Sequence, residues 1–413
     1  MQKKLLVIGY VWPEPDTTAA GCRMQQLLET FVTFGYEITF ASTATKTKYS
    51  MDLESMGIQG VPVRLNHSSF DEFVKGLAPD VVLFDRFMVE EQFGWRVAEF
   101  APNAVRILNT EDLHALRKAR EEAHKKGRSF NLAQWKNHPT TLREVASIYR
   151  CDLSLIISTY EMKILSEQLG IPDGLLLHVP FMADAPSDTT KKDYVPFEAR
   201  KGFVSIGNGK HAPNVDAVKM VKEEVWPSIR KRLPDAEIRI YGAYLPQQIN
   251  EMHSPKTGFY VEGWAENAHT VLEKARVLLA PLRFGAGIKG KLFDAMRTGT
   301  PSITTTIGAE GMLTELPWSG AIADDWDDFA RTAVEIHQEE KAWQAAQLNG
   351  DQILRSFYNK ETVRSRFKER LQHISKNLES HRSQNFIGKL LQHQTMAGTK
   401  YMAKWIEEKN KAV

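Results

Sequence analysis

Residues 278–311 read LLAPLRFGAGIKGKLFDAMRTGTPSITTTIGAEG. The apolar run Val277–Ala280 ends at Pro281 and opens into a glycine-rich loop through Lys291, after which Leu292–Arg297 has the pattern of a helix closed by Gly299 and Pro301. The unit is therefore a strand, a glycine loop and a helix. Glycines at 285, 287 and 290 let backbone N–H groups approach a ligand, the helix N-terminus favours an anion, and Lys289 and Lys291 add positive charge. Phosphate is the natural guest. Asp294 lies one turn into the helix, where a carboxylate cannot usefully touch phosphate but can accept hydrogen bonds from a sugar diol such as ribose. The residues together describe a nucleotide diphosphate held by phosphates and ribose; the plainer alternative is a turn that needs glycine only for its geometry.

The stretch resembles the donor-binding segment of retaining glycosyltransferases of family 4 (glycosyl transferases group 1, bacterial type), which have the GT-B fold. Pro281-Leu282-Arg283, Gly285-Ala286-Gly287-Ile288-Lys289, Lys291, Asp294-Ala295-Met296, Gly299, Pro301, Thr305 and Gly308-Ala309-Glu310-Gly311 carry the likeness. Two positions depart from it. Asp294 replaces the second of two glutamates eight positions apart, and Ala286 stands where the first would fall. The resemblance implies that the ribose contact is kept and that the first glutamate's role is lost or moved, Glu310 being one place for it.

At 413 residues the chain exceeds one ordinary core, so two domains are expected. Net charge is +2 with both signs interleaved, which gives no electrostatic footprint for nucleic acid. Cys22 and Cys151, the two cysteines, have no metal spacing and suit free thiols in a reducing compartment. The apolar run that ends at Gly9 is too short for a signal peptide and reads as a first strand. No run approaches the ~20 apolar residues of a membrane span, and a cytoplasmic location is expected.

The chain opens as strand Lys4–Gly9, a loop through Gly21, a helix from about Arg23 to Phe34, and strand Tyr36–Ala41, the β-loop-α-β pattern of a parallel sheet. The loop lies at the carboxyl edge of that sheet, where ligands bind, which makes Asp16 and Gly21 candidate acceptor-side residues. Further strands are expected at Val61–Leu65, Val81–Phe84 and Val105–Asn109. The last delivers Asp112, His114 and Arg117 to the same edge, where a carboxylate and an imidazole orient hydroxyl groups. Family 4 members resemble this Asp-Leu-His segment, with an arginine following, near the transferred sugar. Asp85-Arg86-Phe87 is either a second cleft segment or a strand terminator, and Arg117–Arg128 reads as a solvated helix face, the alternative being that Arg117 and Arg120 reach an acidic acceptor. Glu161 either matches a family glutamate or charges a helix first turn.

Residues 183–200, polar and carrying Pro186 and Pro196, read as a linker. The second half begins at Gly202–Gly207, and its next loop, Asn208 to Asn214 with Lys210 inside it, resembles the family's segment for the donor's phosphates. Trp264 either stacks a base or belongs to the core. Asp325 and Asp327 form a D-x-D triplet that reads as a helix cap rather than a metal site. Thr362–Ser375 is an amphipathic helix with Val363, Phe367, Leu371 and Ile374 in one stripe, expected to cross back onto the first domain. The tail beyond it, apolar pairs among lysines, is expected to dock there too; self-association and an anionic membrane face are its other uses.

The expected architecture is α/β GT-B: an acceptor-side Rossmann-like domain 1–182, linker 183–200, a donor domain 201–361, and a crossover helix and tail 362–413. The function implied is retaining transfer of a sugar from a nucleotide diphosphate sugar to a carbohydrate or lipid-linked acceptor, without a metal or other cofactor. Candidate catalytic residues are His114, Asp112, Lys291 and Lys289. Candidate donor contacts are Gly207, Lys210, Trp264, Arg283, Gly285, Ala286, Gly287, Ile288, Asp294 and Glu310, with Asp16, Gly21 and Arg117 on the acceptor side. A nucleotide-sugar 2-epimerase and an inactive nucleotide-sugar-binding scaffold are the alternative readings.

Overall fold

Apolar runs of four to seven residues that end in glycine or a polar residue become parallel strands buried on both faces. Val81–Asp85 and Val105–Asn109, with every residue buried, are the clearest cases. The computed structural model describes residues 2–184 and 194–411. Its first sheet holds β1 (Lys3–Gly9), β2 (Tyr36–Ser42), β3 (Gln59–Pro62), β4 (Val81–Asp85), β5 (Val105–Asn109), β6 (Leu153–Ile156) and β7 (Leu176–His178) in the order 3-2-1-4-5-6-7. The second holds β8 (Phe203–Ile206), β9 (Ile238–Tyr241), β10 (Phe259–Gly263), β11 (Val277–Ala280), β12 (Ser302–Thr304) and β13 (Gly320–Ile322) in the order 10-9-8-11-12-13. Every pairing between these strands is parallel, with Leu5 opposite both Ile38 and Val81.

In each sheet the strand order reverses once, between β1 and β4 and between β8 and β11. Such a switch point opens a crevice at the carboxyl edge, so each half offers one ligand-binding mouth. The strand expected at Val61–Leu65 lies earlier, at Gln59–Pro62, and is half-exposed at the sheet edge. With a single neighbour and Pro62 lacking an N–H, an edge strand carries a weak pattern.

The chain crosses between the halves twice, side by side. Ala183 pairs with Asn359, the Ala183 N–H donates to the Tyr358 carbonyl (2.7 Å), and the Lys360 N–H donates to the Ala183 carbonyl (2.9 Å). The helix Lys360–Lys376 then lays Val363, Phe367, Leu371 and Ile374 into the core beneath the first sheet, the Phe367 ring edge-on to Phe31 at 5.5 Å. The expected stripe is the buried face. Residues 185–193 of the expected linker, Pro186 among them, lie outside the described residues. Its last residue is not linker-like: Arg200 is fully buried and donates to Thr300 Oγ1 (2.7 Å) and the Thr298 carbonyl (2.7 Å), pinning the chain to the second half.

The final helix, Phe386–Lys411, packs on the first half's helices Phe87–Phe100 and Pro139–Arg150. Gln392 donates to the Arg150 carbonyl (3.0 Å), Lys400 pairs with Glu99 (2.7 Å) and Glu407 accepts from the Ser68 N–H (3.0 Å). The tail docks as expected. Asp325 caps the helix Trp326–Gln338 by accepting from the N–H groups of Asp327 and Asp328, the cap role its position suggests. Among the described residues no helix is long and apolar enough to cross a membrane.

Candidate active site

The carboxyl edges of the two sheets face each other across a cavity of about 590 Å³, lined by the loops after β1, β4, β5, β8 and β11. Of the residues singled out in the sequence, the cavity brings together Asp16, Gly21, Asp112, His114 and Arg117 from the first half. From the second it gathers Gly207, Lys210, Trp264, the loop Gly285–Lys289, Lys291 and Asp294.

The second half supplies the cationic wall. β11 ends at Ala280 and the glycine loop runs to Lys289, which precedes the helix Gly290–Arg297. Lys291 is held by Asn214 Oδ1 (2.9 Å) and Lys289 by the Gly287 carbonyl (3.0 Å). Burial, then the charge of Lys289, pushes the Lys291 ammonium down to about 7; burial pushes Lys289 down to about 8. An anion between them would restore both charges. Asp294 faces the cavity with Oδ1 3.2 Å from His269 Nε2. Trp264 stands half-exposed at the rim, 5.2 Å from the ring of Tyr49 in the other half, so it is not a core residue.

The first half supplies Asp112 and His114, where β5 gives way to the helix His114–Lys125. That helix starts on a buried carboxyl group: Glu144 accepts from the N–H groups of His114 (2.6 Å) and Ala115 (2.8 Å), and burial pushes it up to about 8. Burial alone would push Asp112 up, but the Arg117 fork (Nε to Oδ2 2.7 Å) and His114 (Nε2 to Oδ1 3.3 Å) outweigh it and hold the carboxyl far below the usual range. His114 is pushed down to about 4 by burial, so at neutral pH it is an uncharged imidazole beside a carboxylate.

The two walls touch. Gly287 has φ +64°, and a Cβ there would come within 2.9 Å of the Asp112 Cβ, so only glycine lets the loop meet the strand tip across the cleft. Glu161 Oε1 accepts from the N–H groups of both Leu113 (2.9 Å) and Gly287 (2.8 Å), linking the halves from a fully buried position. It is therefore not a solvated first-turn charge. Arg120 forks onto Glu310 (2.6 and 2.8 Å) and donates to the Gly285 carbonyl (2.8 Å).

Residues 200–339 match the family model described as glycosyl transferases group 1. Similar solved structures include sucrose-phosphate synthase from Thermosynechococcus elongatus, with 13% identity over 90% of this chain and 99% of that one and a TM-score of 0.67. Anabaena Alr3699/HepE in complex with UDP and glucose is 11% identical over 90% of this chain and 100% of that one, TM-score 0.65. A glycosyltransferase from Rickettsia africae is 9% identical over 91% and 99%, also with TM-score 0.65. No curated protein sequence matches the chain. At these identities the structures speak for the fold, and the matched domain for the chemistry. The chain is a GT-B glycosyltransferase.

Three readings of this glycosyltransferase's sequence need correcting in place. Arg283 is not in the cavity lining: it is exposed and forks onto Asp216 (2.9 and 2.5 Å). Glu310 also lies outside the lining, engaged by Arg120. Arg120 itself is buried and committed to Glu310, so it does not meet an acceptor, while Lys118, Glu122 and Lys125 of the same helix form the solvated face expected there. Conversely, His211, Asn214, Asp85 and Arg86 line the cavity without having been chosen as site residues. A histidine set before a helix at a strand's carboxyl end was the legible signal for His211; Asp85 and Arg86 stood where charges also merely terminate strands. Cys22 lines the cavity as a packed thiol, its Sγ 2.9 Å from the Pro15 carbonyl and burial pushing it up to about 12.

Proposed function

We propose that this enzyme is a family 4 glycosyltransferase that moves a sugar, with retained anomeric configuration, from a nucleotide diphosphate sugar to a carbohydrate or lipid-linked acceptor. One observation carries the reading: Lys289, Lys291 and the start of the helix Gly290–Arg297 share a single cavity with Asp112 and the uncharged His114 of the facing sheet. The diphosphate sits against the lysines and loop amides, which stabilise the charge that develops as the anomeric C–O bond breaks. Asp294 takes the ribose hydroxyls and Trp264 the base. Asp112 and His114 hold hydroxyls of the transferred sugar. Forked by Arg117, the Asp112 carboxylate is a hydrogen-bond acceptor and a poor nucleophile. Retention then requires the acceptor oxygen to enter on the face the diphosphate leaves, passing its proton to the departing phosphate oxygen. UDP and glucose bound in the Anabaena protein support a sugar nucleotide as the class of donor.

The test is a calorimetric and thermal-shift panel of UDP, GDP, ADP and dTDP with their common sugars, against wild type and Lys291→Ala. One nucleotide should stabilise the wild type and lose at least tenfold in affinity in the variant. Unchanged affinity in Lys291→Ala and Asp294→Ala would remove this site. The anomeric proton coupling of the product then decides retention.

A further inference from the structure

The lysines and the helix start assigned to the diphosphate lie on the second half's wall, which leaves the first half's wall for the other substrate. That wall has the opposite charge. Its cavity-lining residues include Glu14, Asp16, Asp85, Glu111 and Asp112, against the two guanidinium groups of Arg86 and Arg117. Both cations are already set against carboxylates. Arg117 is forked by Asp112, and Arg86 lies beside Asp85 with its plane on the Tyr10 ring at 5.1 Å.

At the floor, Asp85 closes β4 and is 95% buried, with relative exposure of 5%. Its Oδ2 accepts from the Tyr10 N–H (3.3 Å), while Oδ1 has no hydrogen-bond donor. Arg86 Nε, 3.9 Å from that oxygen, has no acceptor. A buried acceptor and a buried donor thus lie side by side, each unsatisfied. Native interiors seldom leave such groups unpaired, because each costs about 1–3 kcal/mol. One chemical group completes both at once: a hydroxyl donates to the carboxylate and accepts from the guanidinium. A phosphate or carboxylate would meet Arg86 and be repelled by Asp85, while burial and the Asp85 charge push Glu111 up to about 7. Glu111 stands on the same edge at φ +62°, tied to Asn109 Nδ2 at 2.7 Å.

We propose that the acceptor is a non-anionic sugar, one hydroxyl of which is read by Asp85 and Arg86 on the first half's wall. The proposal rests on the donor reading above, since that reading assigns the opposite wall to the nucleotide.

The test is saturation-transfer NMR with matched pairs, the methyl glycosides of glucose, galactose and mannose against their uronates, with and without the nucleotide found in the panel. At least one neutral glycoside should bind ten times more tightly than its uronate. Asp85→Asn, which keeps an acceptor but removes the charge, should narrow that ratio at least threefold. Arg86→Gln should weaken the neutral glycoside about tenfold, with nucleotide affinity unchanged within twofold in both variants. Asp85→Ala, checked by its melting temperature, should lose glycoside binding. A uronate preferred by wild type, no sugar bound at all, or a ratio untouched in Asp85→Asn would overturn the proposal. Absence of nucleotide binding strikes instead at the donor reading, and the nucleotide-free arm still reports the wall's preference.

Discussion

Arg120 and Glu310 come from opposite halves of the enzyme and meet in a two-pronged ion pair, Nη1 to Oε2 at 2.6 Å and Nη2 to Oε1 at 2.8 Å, with the guanidinium side chain 4% and the carboxylate side chain 15% exposed. The pair holds the cleft shut from the side, and Arg120 Nη1 also holds the Gly285 carbonyl of the glycine loop. Removing one partner of a buried pair strands the other charge, at a cost of about 3–5 kcal/mol. Arg120→Ala should therefore open the cleft in the absence of ligand, seen as an increased radius of gyration in solution scattering. Glu310→Gln should do so less, and a double Arg120→Met, Glu310→Leu replacement should recover most of the melting temperature.

Nucleotide affinity should fall with rising pH. Lys291 is pushed down to about 7 and Lys289 to about 8, so both are charged well below pH 7 and neutral well above pH 8 in the empty site. A bound diphosphate favours the charged forms, so binding near pH 8 takes up protons. Affinity is expected to drop by roughly tenfold or more between pH 7 and pH 9. Calorimetry in buffers of differing ionisation heat measures the uptake directly; pH-independent affinity without proton uptake would place the diphosphate elsewhere.

Gly287→Ala should separate binding from transfer. The left-handed backbone costs a non-glycine residue about 1–2 kcal/mol, and the added methyl would press on Asp112 Cβ at 2.9 Å. The two walls could not close, although the lysines of the second half would remain in place. We expect transfer, read as nucleotide release, to fall by about a hundredfold, since misplacement near 1 Å costs on that order, with a smaller loss of nucleotide affinity.

Glu161 makes the joint between the halves pH-sensitive. Burial raises it from its ordinary value near 4.5 to about 7, against the pull of its two backbone N–H donors. The sign follows: folding favours the protonated form, so its contribution is complete below about 4.5 and is lost as pH rises through 7. Up to about 3 kcal/mol is involved on the scale of 1.36 kcal/mol per pKa unit. Glu161→Gln, which keeps the shape and an acceptor oxygen, should flatten the melting-temperature profile between pH 5 and pH 8. A slope unchanged in that variant would assign the dependence to another group.

Phe367→Ala tests the crossover helix. The ring is 1% exposed and packs edge-on to Phe31 and Phe34, at 5.5 and 5.9 Å. Deleting it should cost about 3–5 kcal/mol in urea unfolding, although the residue belongs to the far end of the chain.

Alone, the chain determined the architecture and most of the donor wall, because both are local. A strand, a glycine loop and a helix are written within 278–311, and the stripe at Val363, Phe367, Leu371 and Ile374 declares one buried face through its spacing alone. Which charge meets which was decided by tertiary structure. Arg120 looks the same in the sequence whether it faces water or Glu310, 190 positions away, and Arg283 looks like a donor contact until the fold sets Asp216 beside it. For Glu161 a family match and a first-turn charge both stay open until β6 delivers it beneath Gly287. The physical reason is range: periodicity and turn chemistry act over a few residues, whereas a buried charge takes whatever partner the closed cleft brings within 3 Å.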